Sequence, residues 1–124
     1  ACREIPCFGT THADNFYGPV PITEVMTEEE IQGEYELETG AVIVRRFAGL
    51  DPMQNPAVLV ANHGPFTWGP TAAKSVEKAV VLEQCAQMAL QTLQVNPEQG
   101  EISRILLDKH FLRKHGKNAY YGQR

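Results

Sequence analysis

No run of apolar residues in this chain approaches the ~18–20 needed to cross a bilayer. The opening ACREIPCFG also lacks the continuous apolar stretch of a secretory leader. A cationic surplus is missing too. Eleven Lys and Arg stand against 15 Asp and Glu, a net charge of -4, which argues against nonspecific binding to a nucleic-acid backbone. Cysteine is scarce: Cys2, Cys7 and Cys85 make an odd number at low density, which fits a reducing, cytoplasmic setting better than a disulfide scaffold. The CREIPC spacing matches neither a zinc knuckle nor a redox pair, and the three thiols read as bystanders. The four histidines form no HxH or HExxH pattern, and no repeat, low-complexity tract or linker interrupts the chain. GPFTWGPT has the glycine spacing of a phosphate loop, but Pro70 occupies the position that must be lysine.

What remains is a chain of 124 residues, 43% hydrophobic and 21% charged, the balance of one soluble domain or a piece of one. The stretch through Pro21 is loop-like. Thr27 and Glu30 have capping-box spacing and open a helix that Gly33 weakens and Gly40 closes. AVIVRRF, residues 41–47, is β-branched and predicts a strand. AVLVAN, residues 57–62, predicts a second strand, apolar on both faces and therefore central. After the loop HGPFTWGPT, a long helix spans about 71–93 with a broad apolar stripe. A last helix, about 101–115, is anchored by Ile102, Ile105, Leu106 and Leu112 and stopped by Gly116. The fold class is α/β or α+β, with too few strands for an independent sheet.

Several side chains carry usable chemistry. His63 follows an apolar strand and faces a loop, a favourable place for a metal ligand or an acid–base group. The plainer reading is a hydrogen-bonded turn histidine, and one imidazole is too few for catalytic zinc, which usually takes three protein ligands. Asp14, two residues after His12, is either a general base or an ordinary turn carboxylate. Glu34 and Glu36 read as a solvated acidic face, and His110 among Lys109, Arg113 and Lys114 as a basic exposed one. Tyr120 and Tyr121 in the tail suggest a segment that docks, with another subunit as one candidate surface.

Taken in order, GTTHADNFYG, TEEEIQGEYELETG, HGPFTWG and LLDKHFLRKHGKNAYYGQ resemble the L-ribulose-5-phosphate 4-epimerases of the class II aldolase/adducin family. The resemblance covers Ile5 to Gln123. It implies an α/β fold with a central, mainly antiparallel sheet flanked by helices, and a homotetramer with active sites between subunits. Residues 1–124 would be the C-terminal half of a single domain whose N-terminal half is absent. That half would carry two further zinc-ligating histidines and the loops that hold the substrate phosphate, and 1–124 alone would be inactive. The substrate would be a phosphorylated pentulose, epimerised at C4 by retro-aldol and aldol steps. By the same resemblance His63 is a zinc ligand, and Asp14 and Tyr121 are the two proton-transfer groups, Tyr121 coming from a neighbouring subunit. Thr10, Glu36 and His110 would support the site or place the substrate. Asn15 departs from the aromatic or histidine often found after THAD. A class II sugar-phosphate aldolase and a non-catalytic assembly module like the adducin head are the alternatives.

Overall fold

The computed structural model describes residues 2–121. Five helices and two strands follow one another: α1 (Thr10–Ala13), α2 (Glu28–Gln32), α3 (Tyr35–Arg46), β1 (Ala57–Val60), β2 (Gly64–Thr67), α4 (Ala72–Val95) and α5 (Arg104–His115). The strands form an antiparallel hairpin in which Ala57 faces Thr67 and Val60 faces Gly64. On its other edge β1 takes two backbone bonds: Leu59 N–H donates to Pro21 O (2.9 Å) and Thr23 N–H to Leu59 O (2.9 Å). β1 is therefore flanked on both sides, as its apolar sequence implies. The result is a mixed α and β architecture with a small antiparallel sheet, of which β1 is the centre.

Side chains alternate across a strand, and β1 uses both faces. Ala57 and Leu59 pack with Leu82, Cys85 and Ala89 of α4, together with Ile5, Phe16 and Val20. Val60 faces the other way, onto Met26 and Val42, with Ile43 beside them. A third cluster, Cys7, Ala13 and Leu107 with Tyr17 and Ile102, fastens α5 to the N-terminal segment.

The segment 41–47 is not a strand. It is the second half of α3, and Gly40 lies inside that helix instead of ending one. Gly33 is the real stop, as the C-cap of α2. Glu36 and Glu38 in the first turn of α3 and Arg45 and Arg46 in the last oppose the helix dipole favourably. Burial of Thr39 and Val42, three apart on one face, then outweighs the few tenths of a kcal/mol per residue that β-branching costs a helix. The capping box at Thr27 does form: Thr27 N–H donates to Glu30 Oε2 at 2.8 Å, and Glu30 N–H to Thr27 Oγ1 at 3.3 Å.

Three smaller expectations also change. HGPF is the last turn residue and the first three residues of β2, not a loop. TTHA within the N-terminal stretch is the short helix α1. The anchors of α5 are Leu107 and Phe111, whereas Ile105 is 83% exposed and Leu112 is also exposed. In α4 the apolar stripe is broader than the core it meets. Leu82, Cys85 and Ala89 are buried, while Val76, Val80 and Leu90 stay in solvent. The boundaries of α4 and α5 match the sequence closely, with Thr71 and Ser103 as hydroxyl N-caps.

Candidate active site

CFGTTHADNFYG folds into a closed loop held from within. His12 is buried, its Nε2 lies 2.8 Å from Gly18 O, and its ring meets Phe16 edge-on. Burial pushes the imidazole pKa down, and the bond to Gly18 only partly opposes this. His12 is thus a neutral Nε2–H donor that clasps the loop, a structural histidine. Tyr17 ties the same loop to α5: its hydroxyl is 2.5 Å from Asp108 Oδ1 and accepts from Arg104 at 2.6 Å.

The clasp leaves Asp14 at the C-cap of α1, facing α5. His110 Nδ1 lies 3.0 Å from Asp14 Oδ1. An Arg113 terminal nitrogen reaches both carboxylate oxygens, at 3.2 and 3.4 Å, and Lys114 Nζ stands 3.2 Å from Oδ2. His115 Nε2 adds a 2.9 Å contact to the Asp14 carbonyl. Asp14 is only 17% exposed at its side chain. Burial alone would raise its pKa, but hydrogen bonds from His110, Lys114 and Arg113 together outweigh it and hold the carboxyl below the usual range. The same Arg113 nitrogen is 3.0 Å from His110 Nδ1. One ring nitrogen cannot donate to the carboxylate and accept from arginine at once. The carboxylate needs a donor, so Nδ1 carries the proton and the Arg113 hydrogens go to Asp14. Arg113 Nε is buried and has no hydrogen-bond partner among the described residues.

The tail folds back on this cluster within the same chain. The amides of Tyr120 and Tyr121 both donate to Arg113 O, at 2.9 and 3.1 Å. The Tyr121 ring then lies under the Arg113 guanidinium, 4.4 Å from its centroid. Asp14 and Tyr121 line one cleft of about 380 Å³, together with Asn15, Trp68, Lys78 and Lys114. Asp14 and Tyr121 of one chain thus line the same cleft.

The remaining candidates stand elsewhere. Thr10 gives its carbonyl to the Asp14 amide (2.9 Å), but the residue lines a different hollow, against Cys85 and Met88. Glu36 is exposed in the first turn of α3 and takes no part in the cleft. His63 sits in the turn between β1 and β2, its ring stacked on Phe66 at 5.5 Å, and lines a separate cavity of about 500 Å³. Beside it lie Asn62, at a positive φ of 60°, and Cys2, whose thiol donates to Asn62 Oδ1. Neither ring nitrogen of His63 has a hydrogen-bond partner among the described residues. It is free to serve as one metal ligand, but those residues contain no group of three His, Cys, Asp or Glu side chains able to hold an ion.

Reading α5 as a solvated basic face missed Arg113 and Lys114. The available signal was their spacing: three and four residues from His110, they share its face of the helix. Cys7 and Cys85 are buried free thiols, and Cys2 is an exposed one. Among the described residues no helix is long and apolar enough to cross a membrane.

The family model described as Class II Aldolase and Adducin N-terminal domain matches residues 1–90. The matched span holds the Asp14 loop, the hairpin with His63 and most of α4, while α5 and Tyr121 lie beyond it. The chain belongs to the class II aldolase and adducin family.

Proposed function

We infer that this chain serves a zinc-dependent L-ribulose-5-phosphate 4-epimerase, interconverting that substrate with D-xylulose 5-phosphate in a cytoplasmic homotetramer. The observation that carries the reading is the meeting of a carboxylate and a phenol, Asp14 and Tyr121, in one cleft walled by cations. Inverting one carbinol carbon needs one group to take the C4 hydroxyl proton and another to return a proton on the opposite side. These two side chains, of very different intrinsic pKa, supply that pair.

In this reading the C4 hydroxyl proton leaves as the C3–C4 bond breaks. Glycolaldehyde phosphate and the enediolate of dihydroxyacetone result. The aldehyde turns over, C3 re-adds to its other face, and the new C4 alkoxide takes up a proton. A carboxylate held as tightly as Asp14 is a weak base. An anionic substrate that draws Lys114 or Arg113 away from it raises its basicity when catalysis requires it. His110, donating from Nδ1, keeps the carboxylate oriented. His63 would be one ligand of a zinc ion, and the ion would supply Lewis-acid stabilisation of the developing oxyanion. His63 and Asp14 line different cavities of one chain, so an assembly that sets one subunit's hairpin against another's cleft is part of the proposal.

Full-length protein with added zinc should interconvert the two pentulose phosphates. Asp14→Asn and Tyr121→Phe should each lower kcat by about 10²–10⁴-fold. Unchanged turnover in both variants would sink the mechanism. Accumulated glycolaldehyde phosphate would identify an aldolase instead. The separation of His63 from Asp14 also favours a second reading, a non-catalytic assembly module of the adducin kind, which predicts no stoichiometric zinc in the purified protein.

A further inference from the structure

The loop that carries Asp14 is closed by one imidazole. His12 is 4% exposed, its Nε2–H donates to Gly18 O at 2.8 Å, and its ring stands edge-on to Phe16 at 5.5 Å. Gly18 can turn that carbonyl inward because its φ of +106° lies in the left-handed region, which would strain a side chain. The backbone of His12 takes part as well, its carbonyl accepting the amides of Asn15 and Phe16 at 2.9 and 3.0 Å. α1 itself adds little. It has four residues, too few to be stable alone, and no side chain caps its N-terminus.

Nε2 already bears a proton, so a second one must go to Nδ1 and turn the ring into a cation. Burial opposes that charge, and the bond to Gly18 offsets it only in part. From α4 the titratable groups at this loop are Cys85, which shares with His12 a hollow of about 280 Å³, and Lys78, whose ammonium lies over Phe16. Cys7 of the N-terminal segment packs on Ala13. Burial pushes Cys7 up to about 12 and Cys85 up to about 11, so both thiols stay neutral in acid. From α5 come His110, Arg113, Lys114 and His115, all of which contact Asp14. The Asp14 carboxylate is accordingly turned to α5.

A charged imidazole so deeply buried costs more than its one bond to Gly18 contributes. We propose that His12 is an acid-sensitive latch: a proton on Nδ1 drives the ring out of its site and opens the loop that carries Asp14. The closed loop remains the main form, and the open form grows as pH falls. Burial holds the folded ring below the ordinary imidazole value of about 6.5, so the latch is secure above that value and loosens as pH falls from it. With an open-loop value of about 6.5, the open population rises by as much as about 25-fold between pH 7 and 5. The latch is a property of the loop, whatever reaction Asp14 serves.

Thiol labelling of the full-length protein tests it, because opening uncovers Cys7 behind Ala13 and Cys85 across the hollow. The probe is a disulfide reagent that stays reactive in acid, each rate being divided by that of the same thiol in urea at the same pH. From pH 7 to 5 the corrected rates at Cys7 and Cys85 should rise at least about fivefold. The three cysteines fall in separate tryptic peptides, and exposed Cys2 should show no such rise. His12→Gln keeps an N–H for Gly18 O but takes up no proton, so its rates should stay flat. His110→Gln and His115→Gln should keep the rise. In the unsubstituted protein, nitrogen NMR of the imidazoles should show His12 as the Nε2–H tautomer at pH 7, titrating below about 6.5. That measurement stands even if His12→Gln folds poorly. Flat rates in the unsubstituted protein, a rise that survives in His12→Gln, or a rise lost in His110→Gln or His115→Gln would each overturn the proposal. So would a His12 that titrates at or above the ordinary value.

Discussion

Asp14→Asn gives the sharpest test of the cluster at the heart of the cleft. The substitution keeps the shape of the side chain and removes the charge that faces His110, Arg113 and Lys114 at 3.0 to 3.4 Å. Hydrogen bonds to a charged group are worth roughly 1.5–3 kcal/mol each, and three of them share one carboxylate here. The contacts are partly solvated, with side-chain exposures between 17% and 26%, and asparagine retains one acceptor oxygen. A net loss of about 2–3 kcal/mol at pH 7 follows. For a domain of this size that is a fall in Tm of about 8–12 °C. The sign with pH is fixed. A carboxyl whose folded pKa is depressed contributes fully above its unfolded value of about 3.9 and loses that contribution as pH falls through the folded value. The stability gap between the two proteins, measured by urea denaturation, should be constant from pH 7 to 5 and close below about pH 4. A gap absent at pH 7, or one that persists unchanged down to pH 3, would refute the claim that these ion pairs hold α5 to the Asp14 loop.

Gly40→Ala should stabilise the protein by about 0.5–1 kcal/mol, since a Cβ there meets nothing within 4 Å and φ is not positive; calorimetry showing a lower Tm would contradict the helical assignment of 35–46. Alkylation at pH 8 should modify Cys2 quickly and leave the other thiols alone. Burial pushes Cys7 up to about 12 and Cys85 up to about 11, so rapid double or triple labelling in native protein would show that the core opens.

Much of the framework was legible because it is set by local chemistry. Thr71 and Gly116 mark helix ends, and the Thr27–Glu30 capping box forms as its spacing implies. AVIVRRF was misread because a short β-branched run does not reveal its period, and what decides it is Met26 and Val60 waiting for Val42 across a long chain separation. The candidate site residues were legible as types and not as neighbours. Nothing in the spacing of Asp14 and Arg113 says that they meet, and nothing in HGPF says that His63 faces a different cavity. Those facts follow from α1 packing on α5 and from the hairpin turning toward the far end of α4.

The carbonyl of Arg113 accepts two amides from the tail while its guanidinium is held by Asp14. A trypsin-like protease must draw out both that side chain and that carbonyl before it can cut there. Lys117, exposed in the turn just beyond, needs no such disruption. Limited digestion should therefore clip after Lys117 first, and the clipped protein would lose the Tyr121 phenol while keeping the whole of α5. One nick thus takes the aromatic ring off the Arg113 guanidinium and leaves Asp14 in the cleft.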